Sequence, residues 1–374
     1  MPVETAAAVL RAFGQPQTVE SVTLRDPGPG EVLVRLHAAG VCHSDVGQAD
    51  GDWPYPLPAV LGHEGAGVVE AVGPDVRDVE VGARVVLSSA PGCGVCGHCA
   101  VGRPILCQRA LAAMSAGELT TGGTPLAGEG GSIAVYALLS CFAELTIVAE
   151  RSVIPLPEKV PFEVGALLGC AVITGVGAAI ETIEVAAGSR GAVIGAGGVG
   201  VNAIQGARVR GATEILAVDA SVDRIEAAGR FGATDGVEVA DEARVTKLRR
   251  DAPTGGFDWT IVTVGADDAV RLGVDLTRPG GITCVVGLLP QGRPVAVDML
   301  DVVTYEKRIV GSAYGSLDPR VLIPRIISLY LEGRLLLDEL VSARLSLGDI
   351  NDAFDLSRRA EGIRPVITLV DGSR

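Results

Sequence analysis

Four cysteines, Cys93, Cys96, Cys99 and Cys107, make a C-x2-C-x2-C-x7-C run dense enough to close a tetrahedral tetrathiolate zinc site from one lobe of chain. A closed site offers no coordination position to a substrate, so this metal would pin a lobe and do no chemistry. The rival explanation is a disulfide pair or a redox C-x-x-C. Disulfides belong to oxidising compartments, and the N-terminal MPVETAAAVLRAFG lacks the cationic stretch, apolar core and cleavage site of a secretory leader. The expectation is thiolates that hold metal, in a cytoplasmic protein. A zinc ribbon for nucleic acid would need a basic surround. The chain instead has a formal charge of -14 and would repel a polyanion or an anionic membrane over most of its surface.

A second, looser set of ligand types is Cys42, His63 and Cys170, within GVCHSD, GHEGAG and LLGCAVITG. Taken singly, a buried free thiol explains Cys170 and a satisfied core histidine explains His63. The neighbours shift that balance: Glu64 and Asp45 could orient or tune ligands, and Ser44 brings a hydroxyl to the same cluster. A third site is the turn Gly195-Ala196-Gly197-Gly198-Val199-Gly200. G-x-G-x-x-G is weak in a chain with 50 glycines, but here an apolar strand precedes it, a helix-compatible segment follows, and Asp219 ends the next strand. The glycines permit the tight turn and close backbone approach. The helix N-terminus offers N–H groups to a pyrophosphate, and the carboxylate accepts from ribose hydroxyls. Asp219 would repel a 2′-phosphate and so favours NAD over NADP, although Arg224 nearby could accommodate the extra charge.

The elements that must position these groups fall into two textures. Up to about residue 170, short runs such as EVLVRLHAAG (Glu31–Gly40), 65–73 and 83–88 alternate apolar and polar residues between glycine and proline breaks, which predicts a β-rich barrel or folded sheet. Beyond it, strands at 258–265, 282–287 and 308–315 alternate with helix-length segments at 199–209 and 224–231, which predicts a doubly wound parallel sheet. The apolar run 165–180 is sixteen residues and glycine-interrupted, short for a bilayer span, and reads as buried core. The late segment RPVITLV has no slot in a completed six-stranded nucleotide fold. The expected organisation is 1–171 with 314–374 as one domain and 172–313 as the dinucleotide domain.

GVCHSD, GHEGAGVVEAVG, the four-cysteine run, GC-x-x-x-TG-x-GA and GAGGVG, in this order over essentially the whole chain, resemble the zinc-dependent alcohol dehydrogenases of the medium-chain dehydrogenase/reductase superfamily. The resemblance implies an α/β protein, with a GroES-like β-rich catalytic domain and a six-stranded Rossmann coenzyme domain. It implies two zinc ions: one catalytic, on Cys42, His63 and Cys170, the Cys2His set that general zinc chemistry already illustrates with alcohol dehydrogenase, and one structural, on the four-cysteine run. It further implies Ser44 as first member of a proton relay, Asp45 as partner of His63, Glu64 behind the metal, His43 and Arg364 on the cofactor pyrophosphate, and Thr174 near the nicotinamide. The activity implied is NAD-linked interconversion of an alcohol, a primary one with room for a bulky or aromatic body, with its aldehyde or ketone.

Departures from the family pattern carry information. The position five residues after the first zinc cysteine, a histidine in many relatives, is Gly47, so the terminal base of the relay is missing. A pocket position that is often bulky is Ser89, which predicts a roomier cavity, with Trp53, Tyr136 and Leu288 as candidates for its other walls. The stretch between Cys107 and Cys170 matches longer-loop members, which form homodimers or homotetramers. VNAIQGAR and GSAYGSLDPR most resemble actinobacterial enzymes, some of which retain NAD as a bound redox group. Two alternatives stay open at this point: a thiol-dependent formaldehyde dehydrogenase or aldehyde dismutase on the same scaffold, and a catalytically inactive NAD-binding structural or regulatory relative.

Overall fold

The computed structural model describes residues 2–251 and 256–369. The chain folds as two compact units, one of Met1–Cys170, Leu317–Leu331 and Leu337–Arg374, the other of Ala171–Ser316 and Glu332–Leu336.

The first unit is GroES-like. Val3–Leu10, Thr18–Leu24, Leu126–Gly128, Gly131–Val135 and Ala59–Val60 close a barrel, and a seven-stranded sheet builds on Glu31–Gly40. Glu31–Gly40 is mostly buried, because it pairs antiparallel with Glu64–Val72, Leu145–Ala149 and Arg364–Thr368. The register matters for chemistry. Gly40 faces both Glu64 and Val366, so Cys42, just past the end of one strand, meets His63, just before the start of the next, and the C-terminal strand delivers Arg364 to the same corner. Gly40 must lack a side chain there: a Cβ would stand 2.1 Å from Glu64 Oε2.

The second unit holds a six-stranded, all-parallel sheet in the order Asp235–Glu238, Glu214–Asp219, Arg190–Ile194, Phe257–Val262, Thr277–Val285, Arg308–Gly311. This is the 3-2-1-4-5-6 order of the Rossmann fold. Buried Val193, Ile215, Ala217 and Ile261 pack on one side, and Ala192, Leu216, Val218 and Val262 on the other. Burial on both faces is why these strands read as apolar runs without clean alternation.

Residues 165–180 belong to a longer helical segment than the sequence suggested. Phe162–Thr182 runs for 21 residues, long and apolar enough by composition to cross a bilayer, but 83% of its most apolar window is buried inside the protein. Burial rather than length marks it as a core helix. It is also irregular, with α-turns interrupted by wider π-turns at Leu168–Val172 and Ala178–Thr182. Cys170 sits in the first of these, and π-bulges concentrate at functional sites.

Candidate active site

The helix His43–Asp50 starts at Cys42, and Asp45 in its first turn reaches back so that its Oδ2 accepts the Cys42 N–H (2.9 Å). This is the return bond of a capping box. The other oxygen, Oδ1, accepts from Gly62 N–H (3.2 Å) and from His63 Nδ1 (2.8 Å). One fully buried carboxylate therefore ties together the two segments that carry Cys42 and His63. Because Nδ1 is spent on Asp45, the His63 lone pair is left on Nε2, as in carboxylate–histidine–metal triads.

Donor atoms of Cys42, His63, Glu64 and Cys170 all lie within 4.8 Å of one another. Atoms bound to one zinc at about 2.0–2.3 Å are at most about 4.6 Å apart, so the spacing suits a shared ion. Two thiolates and an imidazole are a zinc donor set, with one position left over. A Glu64 carboxylate oxygen lies within the same 4.8 Å.

The charges are organised for a cation. A hydrogen bond from Cys170, against burial and with help from Arg364 and His63, draws the Cys42 thiol well below its ordinary range. The same contact and burial push Cys170 up. Burial opposes a charge on His63, but Asp45 and Cys42 outweigh it and raise the imidazole. Burial lifts Glu64 to about 7, partly offset by Arg364. Arg364 is itself buried. Its Nη1 donates to the Val41 carbonyl (3.0 Å) and its Nη2 lies 3.6 Å from Glu64 Oε1.

The remaining first-unit candidates are placed as follows. Ser44 Oγ is 3.7 Å from Cys42 Sγ. Tyr136 lays its ring edge-on to His63 at 5.8 Å and reaches the Ser44 carbonyl (3.4 Å). Tyr55, which no sequence signal flagged, packs edge-on to Tyr136. His43 is exposed in the first turn beside Cys42, and Ser89 is buried just past the strand Arg84–Leu87. A Cβ at Gly47 would lie 2.8 Å from Asp52 Oδ2 and 2.9 Å from the Trp53 ring. The missing histidine is thus matched by neighbours, Asp52 and Trp53, that fill its place.

The structural quartet is equally well formed. Cys93, Cys96, Cys99 and Cys107 also converge within 4.8 Å, and all eight cysteines are free of disulfides. Backbone N–H groups of Val95 and Cys96, against burial, hold the Cys93 thiol down to about 6, so the turn itself prepares a thiolate. Arg151 braces the lobe, donating to the Pro91 carbonyl (3.0 Å) and lying over Gly94.

In the second unit, Gly195 turns the chain at φ +94, and Gly198 and Val199 open the helix Gly198–Val209. A Cβ at Gly200 would fall 1.8 Å from the Gly195 carbonyl oxygen, whereas at Gly197 it would meet only Arg224, at 3.5 Å. Asp219 accepts from Ala196 N–H (2.6 Å) and Ser221 N–H (2.9 Å), so it shapes the glycine turn as well as standing where a ribose would be met. Thr174 is buried on the helix, and Leu288 is 64% exposed.

Two family profiles match the chain: the alcohol dehydrogenase GroES-like domain over residues 28–158 and the zinc-binding dehydrogenase over residues 198–329. The NDMA-dependent alcohol dehydrogenase of Amycolatopsis methanolica is 37% identical, covering 98% of this chain and 99% of its own. The S-(hydroxymethyl)glutathione dehydrogenase of Paracoccus denitrificans is 34% identical, over 98% and 100%. The crystal structure of benzyl alcohol dehydrogenase from Acinetobacter calcoaceticus superposes with a TM-score of 0.93 at 33% identity, covering 98% of this chain and 100% of that one.

Proposed function

The chain belongs to the zinc-dependent alcohol dehydrogenases of the medium-chain dehydrogenase/reductase superfamily, and from that premise we propose that it oxidises a primary alcohol with an apolar or aromatic body to the aldehyde. The observation that carries the enzymatic reading is the convergence of Cys42, His63 and Cys170 with a Glu64 oxygen beside them, which an inactive NAD-binding relative would have no reason to keep. When bound, zinc supplies a Lewis acid for the substrate oxygen and NAD the hydride acceptor.

The chain's own residues do the rest. Asp45 fixes the His63 ring and tautomer, and Arg364 supplies a constant positive charge beside two thiolates and a carboxylate. Its Nε, buried and without a hydrogen-bond partner among the described residues, is a donor left over for the cofactor pyrophosphate, alongside His43. Ser44, whose hydroxyl lies 3.7 Å from Cys42 Sγ, takes the substrate proton. With Gly47 in place of a base, that proton leaves by way of solvent. On the second unit, Gly195, Gly197, Gly198, Val199 and Gly200 hold the pyrophosphate, Asp219 the ribose, and Thr174 the nicotinamide end, with Arg224 beside the turn. Tyr136, backed by Tyr55, offers an aromatic wall, with Trp53, Ser89 and Leu288 as further lining. Similarity to an enzyme that acts on benzyl alcohol supports this choice.

A panel of ethanol, hexanol, geraniol and benzyl alcohol with NAD is expected to give kcat/KM rising with apolar bulk, by about tenfold per 1.4 kcal/mol of added burial. The competing thiol-dependent formaldehyde activity, favoured by the Paracoccus relative, would instead show as formaldehyde turnover only when a low-molecular-weight thiol is added. Preference for that substrate over every alcohol would overturn the proposal. The panel is run with and without added NAD, which also reports whether the cofactor stays bound.

The compartment consistent with this chemistry is the cytoplasm. The assembly we favour over a homotetramer is a homodimer through the outer strand of the parallel sheet. Arg308–Gly311 ends that sheet, and around it Met299, Leu300, Val303, Tyr305 and Ile309 are 59%, 74%, 70%, 49% and 39% exposed. An open edge strand pairs readily with its own copy across a two-fold axis. Sedimentation should give twice the chain mass for the native protein and the chain mass for Leu300→Asp/Val303→Asp. A native monomer, or an unaltered double variant, would exclude this face.

A further inference from the structure

We propose that the second unit carries an anion-binding site separate from the cofactor turn, at the C-terminal ends of the helices Gly198–Val209 and Val222–Phe231, which takes a small phosphorylated anion. A cavity of about 380 Å³ lies there, lined by Arg208, Arg230 and Arg334 together with Gln205, Phe231 and Gly232. No carboxylate lines it, in a chain whose net charge is -14. The cofactor turn opens the same helix, which is twelve residues long, or about 18 Å at 1.5 Å per residue, and the cavity lies toward its other end.

The walls are built. Gln205 is buried and clamps the chain at Leu336 from both sides, accepting its N–H (2.7 Å) and donating to its carbonyl (3.3 Å). The stem of Arg208 fills the space a side chain at Gly232 would need, with Cδ 1.8 Å from the place of a Cβ, and Gly232 has φ +111. Arg208 is thus held by packing. The guanidinium groups of Arg208 and Arg230 make no hydrogen bond or ion pair among the described residues. Among the described residues, Arg334 has a 3.5 Å contact to the Val209 carbonyl and a loose 3.8 Å pair with Glu332.

A single arginine at a helix C-terminus is accounted for by the helix dipole. Three around one cavity repel one another, and a shared anion relieves that repulsion. Planar guanidinium forks bind phosphate oxygens in pairs, and in an otherwise acidic surface a cationic cleft focuses anions. The volume lies within the range of small-ligand sites. It admits inorganic phosphate or a phosphate carried on a nucleoside, which share the recognised group.

The test is calorimetric titration of the zinc-loaded protein, saturated with NAD so that the cofactor turn is filled, with inorganic phosphate in one arm and ADP in the other. One saturable site per chain is expected in at least one arm, weakening as salt is raised. Tighter binding of ADP would identify a nucleotide, and equal binding the bare phosphate. Arg208→Gln/Arg230→Gln is expected to weaken the site at least tenfold with NAD affinity unchanged. If that double variant folds poorly, the exposed Arg230→Gln alone should weaken it severalfold. Absence of saturable binding in both arms, or equal affinity in the folded variants, overturns the proposal.

Discussion

Replacing Cys42 or His63 by alanine is expected to lower turnover by at least about 10³-fold, because metal assistance contributes several kcal/mol and each 1.4 kcal/mol is a factor of ten. Zinc content should fall from two ions per chain to one, since the quartet Cys93, Cys96, Cys99 and Cys107 is a separate cluster. NAD affinity should stay within about twofold, because the glycine turn and Asp219 belong to the other unit. Asp45→Asn grades the effect. It keeps the volume but removes the charge that His63 Nδ1 donates to, and loss of such an outer partner costs about 10–100-fold in metal affinity or activity. Metal analysis, turnover and NAD titration on one preparation check all three variants. Normal turnover in Cys42→Ala would end the zinc-centred account, and loss of both metals would mean that the fold had failed instead.

The second large effect separates two glycines that sequence treats alike. Gly200→Ala should abolish NAD binding and also destabilise the apoprotein, because its Cβ would fall 1.8 Å from the Gly195 carbonyl oxygen and the turn would have to open. Overpacking of this kind costs about 1–3 kcal/mol, a fall of several degrees in Tm at about 2–4 °C per kcal/mol. Gly197→Ala meets only Arg224, at 3.5 Å, so Tm should hold. The added methyl still stands where the pyrophosphate must approach the backbone, and NAD should bind about tenfold or more weaker, equivalent to ~1.4 kcal/mol. Thermal melts of the apoproteins with NAD titrations decide it. Equal Tm losses in both variants would show that the asymmetry seen in the turn is not real.

The contrast between these residues shows how far the chain can be read without its fold. The four-cysteine run is local: spacing alone brings four sulfurs to one lobe, and the structure adds only the amides that prepare Cys93. The glycine turn is local too, so its strand, helix and acidic partner could be placed from sequence, while the second task of Asp219, accepting the turn's own Ala196 N–H, could not. The glycines of the run 165–180 read as interruptions in the sequence, whereas the chain is helical over Phe162–Thr182. In a buried helix, packing outweighs their cost of about 1 kcal/mol each, and some of them are where other backbone comes close, as at Gly169 against the Leu87 carbonyl.

What the sequence by itself determined is the chemistry of the parts: zinc-type thiolates, a dinucleotide turn, two textures of chain and the family they belong to. Tertiary structure alone decided how distant groups meet. The register that sets Gly40 against both Glu64 and Val366 brings Arg364 to a carboxylate three hundred positions earlier in the chain. The π-turn presents Cys170, Asp52 and Trp53 fill the gap left by Gly47, and the folding of two helix ends and a short return segment gathers Arg208, Arg230 and Arg334 around one cavity. The reason is physical. Spacing along the chain fixes contacts only over a turn or two, whereas long-range pairs depend on which strands share hydrogen bonds and in what register.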